Sequence, residues 1–102
     1  MISYNKKSNG ELLRVNFGRD ISTATSFSMI LEPNVGEKLE VTPVLGAADV
    51  DVGDEEFLAD QYVEYSTTAD MFLYAGRWRA KAVATLPAEV VATNYVFFRV
   101  ME

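Results

Sequence analysis

Arg77-Trp78-Arg79-Ala80-Lys81-Ala82-Val83-Ala84-Thr85-Leu86 alternates strictly between charged and apolar side chains over its first six positions. A period of two is the mark of a strand with one face buried and one exposed. Trp78, Ala80, Ala82 and Ala84 fall on one face; Arg77, Arg79, Lys81 and Val83 fall on the other. One large ring followed by three alanines lets a facing sheet come close along most of the strand. Trp78 therefore reads as a core anchor, because buried aromatics dominate core energetics; its rival role is an exposed binding platform. The three cations read as a solvated strand face or as a docking stripe for an acidic neighbour.

Working outward, the same alternation recurs between turn residues spaced about eight to twelve positions apart. Leu13, Val15 and Phe17 share one side of a strand that Gly18 ends. Phe27, Met29 and Leu31 form a second, stopped by Pro33, Asn34 and Gly36. Phe17 and Phe27 are expected, with Trp78, to anchor the core. Leu39 and Val41 precede Pro43, Val50 and Val52 make a weaker candidate, and Tyr62 to Tyr65 and Tyr95 to Met101 complete the set. Helix is poorly supported: single turns are expected at most over Asp54 to Gln61 and Thr68 to Tyr74, the latter placing Met71 and Phe72 as core plugs. The expected fold class is all-β, a single immunoglobulin-like antiparallel β-sandwich of about seven strands over 12–102, with a small open barrel as the second choice. Residues 1–11 read as a polar N-terminal arm, ordered or loose.

Composition limits the chemistry. The 102 residues carry fifteen Asp and Glu, nine Lys and Arg, no His and no Cys, for a net charge of −6. Ser-His-Asp and Cys-His machinery and the usual nitrogen and sulfur zinc sites cannot be built from this chain alone. The glycines are isolated turn residues, with no phosphate-binding loop. Carboxylate pairs suited to glycoside hydrolysis occur in any acidic protein, and a domain this small lacks walls to hold a sugar ring. The chain is therefore expected not to be an enzyme and to need no cofactor or metal. An acidic surface repels phosphate backbones, so nucleic acid is not an expected partner. No stretch reaches the roughly 18 apolar residues of a membrane span, so no membrane is expected either. Lys6 and Lys7 have no apolar segment behind them, so no signal peptide is read.

Asp49, Asp51, Asp54, Glu55, Glu56 and Asp60 crowd one segment without a compensating cation. Calcium is one reading. The spacing is wrong for an EF-hand loop, because Gly53 falls where a ligand belongs and Asp54 where the glycine belongs. The other readings are a solvated acidic loop and an interface in which Asp49, Asp51, Asp54, Glu55 and Glu56 of one subunit meet Arg77, Arg79 and Lys81 of another. Tyr95 to Met101 is apolar on both faces, more than a free monomer needs, which points to self-association.

Three stretches carry a family resemblance: Leu12 to Asp20, a strand and short polar link; Phe27 to Leu39, a strand, a Pro/Gly turn and a restart; and Asp70 to Lys81, an acidic corner followed by Tyr74-Ala75-Gly76-Arg77-Trp78. In this order they resemble the small immunoglobulin-like virion structural proteins of tailed bacteriophages, and are similar to the N-terminal domain of baseplate upper proteins. The resemblance implies a non-catalytic capsid decoration, neck adaptor, or tail or baseplate component, made in the host cytoplasm and resident in the virion. It implies docking on other virion proteins. With no helical or receptor-binding region after Glu102, a stand-alone accessory role is favoured over a baseplate scaffold. The alternatives are a small carbohydrate-binding module and a host-directed protein inhibitor.

Overall fold

The computed structural model describes residues 2–69 and 71–102, Ile2 through its backbone only. The acidic corner read at Asp70 thus lies outside the described residues, as does Met1. Among the described residues the chain has no helix and eleven strands: β1 Ile2–Asn5, β2 Leu12–Asn16, β3 Ser26–Pro33, β4 Leu39–Val41, β5 Val44–Leu45, β6 Val50–Val52, β7 Glu55–Phe57, β8 Tyr62–Ser66, β9 Gly76–Thr85, β10 Val90–Ala92 and β11 Val96–Met101. The all-β expectation holds. The strand count exceeds the expected number, because several short strands depend on distant partners for their pairing.

The largest sheet is built on β9, as its alternation requires. β3 pairs antiparallel with β9 over eight residues, from Ser26↔Thr85 to Pro33↔Trp78. β10 and β11 run along the opposite edge of β9. Their registers differ: Ala92 pairs with Val83 and Val96 with Ala80, so one extra residue is accommodated between them. This is a β-bulge, which bends the strand and re-aims its side chains; it is pinned by Thr93, whose N–H donates to Ala82 O at 2.9 Å and whose hydroxyl accepts from Ala82 N at 3.0 Å. β4 closes the sheet beyond β3, and β1 lies parallel to β11 at the other edge. A second sheet has the order β2-β8-β5, and β6 and β7 form a separate hairpin.

The two larger sheets place their apolar faces in one core. Leu13 and Val15 of β2 and Val63 of β8 meet Met29 and Leu31 of β3, Trp78, Ala80, Ala82 and Ala84 of β9, and Phe98 and Val100 of β11. The three alanines are fully buried, and β2 comes within 8 Å of β9 between Cα atoms, closer than the usual ~10 Å between stacked sheets. Trp78 is 2% exposed and its Nε1 donates to Tyr74 O at 2.8 Å, so it is a core anchor and not a platform. Phe17 and Phe27 are only half-buried and pack against the rim of this core; Met29 and Leu31 take its centre.

Two local expectations change and a third holds in part. The polar lead-in contributes a strand, and Tyr4 enters the core against Phe98 and Phe72, with centroids 5.4 Å and 5.9 Å away. Asp54 to Gln61 is not helical. Gly53, at φ 60°, takes the first central position of a two-residue connection between Val52 and Glu55, a place where a left-handed residue matches strand twist. The described residues of Thr68 to Tyr74 form no helix; Met71 N–H donates to Thr68 O at 3.2 Å, Phe72 plugs the core as expected at 1% exposure, and Met71 is half-buried.

Candidate docking face

The outward face of β9 was expected to present Arg77, Arg79 and Lys81 together. The fold divides them. Glu32 of β3 lies directly opposite Arg79, and its Oε2 accepts from Arg79 Nη2 at 2.9 Å and Nε at 3.2 Å. Tyr95, carried in by the bulge, donates its hydroxyl to Glu32 Oε1 at 3.2 Å. Its ring lies 4.0 Å from the Arg79 guanidinium carbon and 5.2 Å from Lys81 Nζ. The hydrogen bonds from Arg79 hold the Glu32 carboxyl below the usual carboxylate range, and Glu32 in turn raises the Arg79 guanidinium. Arg79 is thus committed within the chain, while Lys81 has the Tyr95 ring beside it and no ion pair among the described residues.

Arg77 is not so held. It is exposed, and its cross-strand neighbour on β11 is Arg99, also exposed. Among the described residues neither has a carboxylate within ion-pair distance; the pairs formed are Arg14–Glu64, Arg19–Glu89 and Arg79–Glu32. Phe97 and Met101 flank Arg99 on the same side of β11 and are 53% and 48% exposed. A shallow cleft of about 420 Å³ beside them is lined by Glu32, Pro33, Asn34, Arg77, Arg79 and Phe97. This mixed face of two free guanidiniums and two exposed apolar side chains is the candidate site. Arg99 escaped the sequence reading because only the register sets it beside Arg77.

The acidic segment sits on the hairpin. Asp49 Oδ1 accepts from Ala59 N at 2.8 Å and closes its base. Asp51, Asp54, Glu55 and Glu56 are all exposed, and Asp51 lies directly opposite Glu56. Among the described residues no three carboxylates gather closely enough to hold a metal ion. The hairpin was legible in principle: Val50, Val52 and Phe57 around Gly53-Asp54 give two short strands and a turn pair. The hairpin tip, Val52 to Glu55, borders a second cleft, of about 640 Å³, with Tyr95, Val96 and Phe97 on its far wall. Phe97 therefore stands between the basic pair and the acidic hairpin. As a sugar platform the face offers Phe97, but the neighbouring Tyr95 ring is covered by Arg79.

The chain matches no family model, no curated protein and no solved structure.

Proposed function

We propose that this chain is a non-catalytic docking protein of a tailed-phage particle, built on an immunoglobulin-like sandwich and acting through the outer face of β9 and β11. The observation that carries the docking reading is that face: Phe97 and Met101 about half exposed, beside Arg77 and Arg99 that have no partner among the described residues. Arg and aromatic side chains are the types enriched in protein interfaces. A neighbour with a carboxylate and an apolar side chain would satisfy both.

The sheet orders support the immunoglobulin-like reading. Immunoglobulin domains keep strands B, E and D in one sheet and G, F, C and, in the variable type, C′ in the other. Here β2-β8-β5 and β11-β9-β3-β4 run in those orders, with the chain passing between the two sheets at β2 to β3, β4 to β5 and β8 to β9. The β6–β7 hairpin is then an insertion between D and E. The phage assignment rests on the resemblance of residues 12–102 to small virion proteins.

The test is co-sedimentation of the labelled chain with purified virions of the phage that encodes it. Saturable binding at a fixed ratio to particles, lost on Phe97→Ser, is expected. Absence of binding, or binding that Phe97→Ser leaves unchanged, overturns the proposal.

A further inference from the structure

Each of the two charged patches is made of like charges held side by side. Arg77 faces Arg99 across β9 and β11, and Asp51 faces Glu56 across β6 and β7. Residues directly opposite in an antiparallel pair share one face of the sheet, with Cβ atoms roughly 4.5–5.5 Å apart, and like charges so placed repel. None of the four forms an ion pair among the described residues. The isolated chain thus carries a repulsive cross-strand pair of each sign, both exposed.

We infer that the partner on the β9–β11 face is a second copy of this chain, whose Asp51 and Glu56 lie over Arg77 and Arg99. The inference rests on the docking reading above and names its occupant. A carboxylate pair at strand spacing matches a guanidinium pair at strand spacing, so one contact relieves both repulsions. Phe97 lines both the cleft that holds Arg77 and the cleft that holds the hairpin tip, Val52 to Glu55, while Asp51 and Glu56 lie on the outer face of the same hairpin. With acceptor and donor on either side of Phe97, two copies related by a two-fold axis each give and receive the hairpin. That is the self-complementary arrangement of a closed dimer. Phe97, 53% exposed in the single chain, lies near the axis and loses its water. Arg79 takes no part, being held by Glu32.

Sedimentation equilibrium of the purified chain tests this. A concentration-dependent dimer is expected at low salt, with its dissociation constant rising on the order of tenfold or more at about 0.5 M salt, where screening acts within about 4 Å. Two charge reversals then decide the contact. Arg77→Glu with Arg99→Glu gives a chain acidic on both patches; Asp51→Lys with Glu56→Lys gives one basic on both. Each alone should be a folded monomer by circular dichroism, and an equimolar mixture should form the heterodimer. All four positions are exposed, so the fold should survive. A wild-type chain that stays monomeric near 1 mM at low salt overturns the inference. So does a dimer that persists in either reversed chain, or a mixture that does not pair. A monomeric wild-type chain that still binds particles through Phe97 leaves the docking function standing and removes only the second copy; a dimer that binds no particle does the reverse.

Discussion

Gly46→Ala should be among the most damaging single-methyl changes in this chain. The backbone at Gly46 lies directly against the ring of Tyr62, and an added β-carbon would fall among the ring carbons, far inside van der Waals contact. The ring is not free to retreat. Tyr62 is 2% exposed, its hydroxyl donates to Ala48 O at 2.8 Å, and Phe57 packs against it edge-on with centroids 5.3 Å apart. Nor can the backbone move cheaply, because Gly46 N donates to Tyr62 O at 2.8 Å and Gly46 O accepts from Asp60 N at 2.9 Å. Overpacking of this kind costs about 1–3 kcal/mol, and losing one of these hydrogen bonds adds about 1 kcal/mol. A total of about 2–4 kcal/mol is expected, set against about 5–15 kcal/mol for a whole domain. Urea denaturation followed by the fluorescence of Trp78, the single tryptophan, reads this directly. The same substitution made in a Tyr62→Ala background isolates the cause. There the methyl group has room, and its cost should fall below about 0.5 kcal/mol or change sign, since Gly→Ala also restricts the unfolded chain. Equal costs in the two backgrounds, or a neutral effect in the wild type, would refute the steric account.

Two further outcomes follow from the core. Trp78→Ala should cost about 3–5 kcal/mol, the range for emptying an aromatic site, read by circular dichroism during urea unfolding; a cost under 1 kcal/mol would place the ring outside the core. Tyr4 carries a pH signature. Burial, helped by Glu11 and opposed by Arg14, pushes its hydroxyl up to about 12 from 10.0. The neutral form is favoured in the folded chain, so this stability is whole below pH 10 and is lost as pH rises towards 12. Tyr4→Phe removes that slope along with the hydrogen bond to Leu12 O at 3.1 Å. The wild type should therefore be more stable by about 1 kcal/mol near pH 8 and lose that advantage by pH 12; parallel stability curves for the two chains would contradict the burial of Tyr4.

What could be read locally was read from alternation. β9 alternates over most of its length, and a period of two assigns both its faces before any partner is known. β1 alternates as well, Ile2 and Tyr4 with Ser3 and Asn5, but too briefly to stand as a strand signal. Only four residues long, it exists by pairing in parallel with β11, Tyr4 beside Val100, at the far end of the sequence. The hairpin was misread for a different reason. Asp54, Glu55 and Glu56 before Phe57 and Leu58 look like an acidic helix start, yet Gly53 at φ 60° turns the chain back on itself. Register was the deepest gap. Alternation shows that Arg77 and Arg79 share a face, but not that Glu32, 47 positions away, claims Arg79, or that Arg99 lands opposite Arg77.

That gap bears directly on the proposed docking face. A stripe of three equivalent cations would attract any acidic surface and specify little. Commitment of Arg79 to Glu32 and Tyr95 offsets one of the three cations, and Lys81 lies over the same ring. Arg77 and Arg99, next to the apolar Phe97 and Met101, keep their charge without an ion pair among the described residues. A partner on the proposed docking face would have to match two guanidiniums at strand spacing and an aromatic at one side, which is a geometric demand and not merely an electrostatic one. Opposite charge alone speeds encounter; the demand for matched spacing beside Phe97 is what would let this face select its partner.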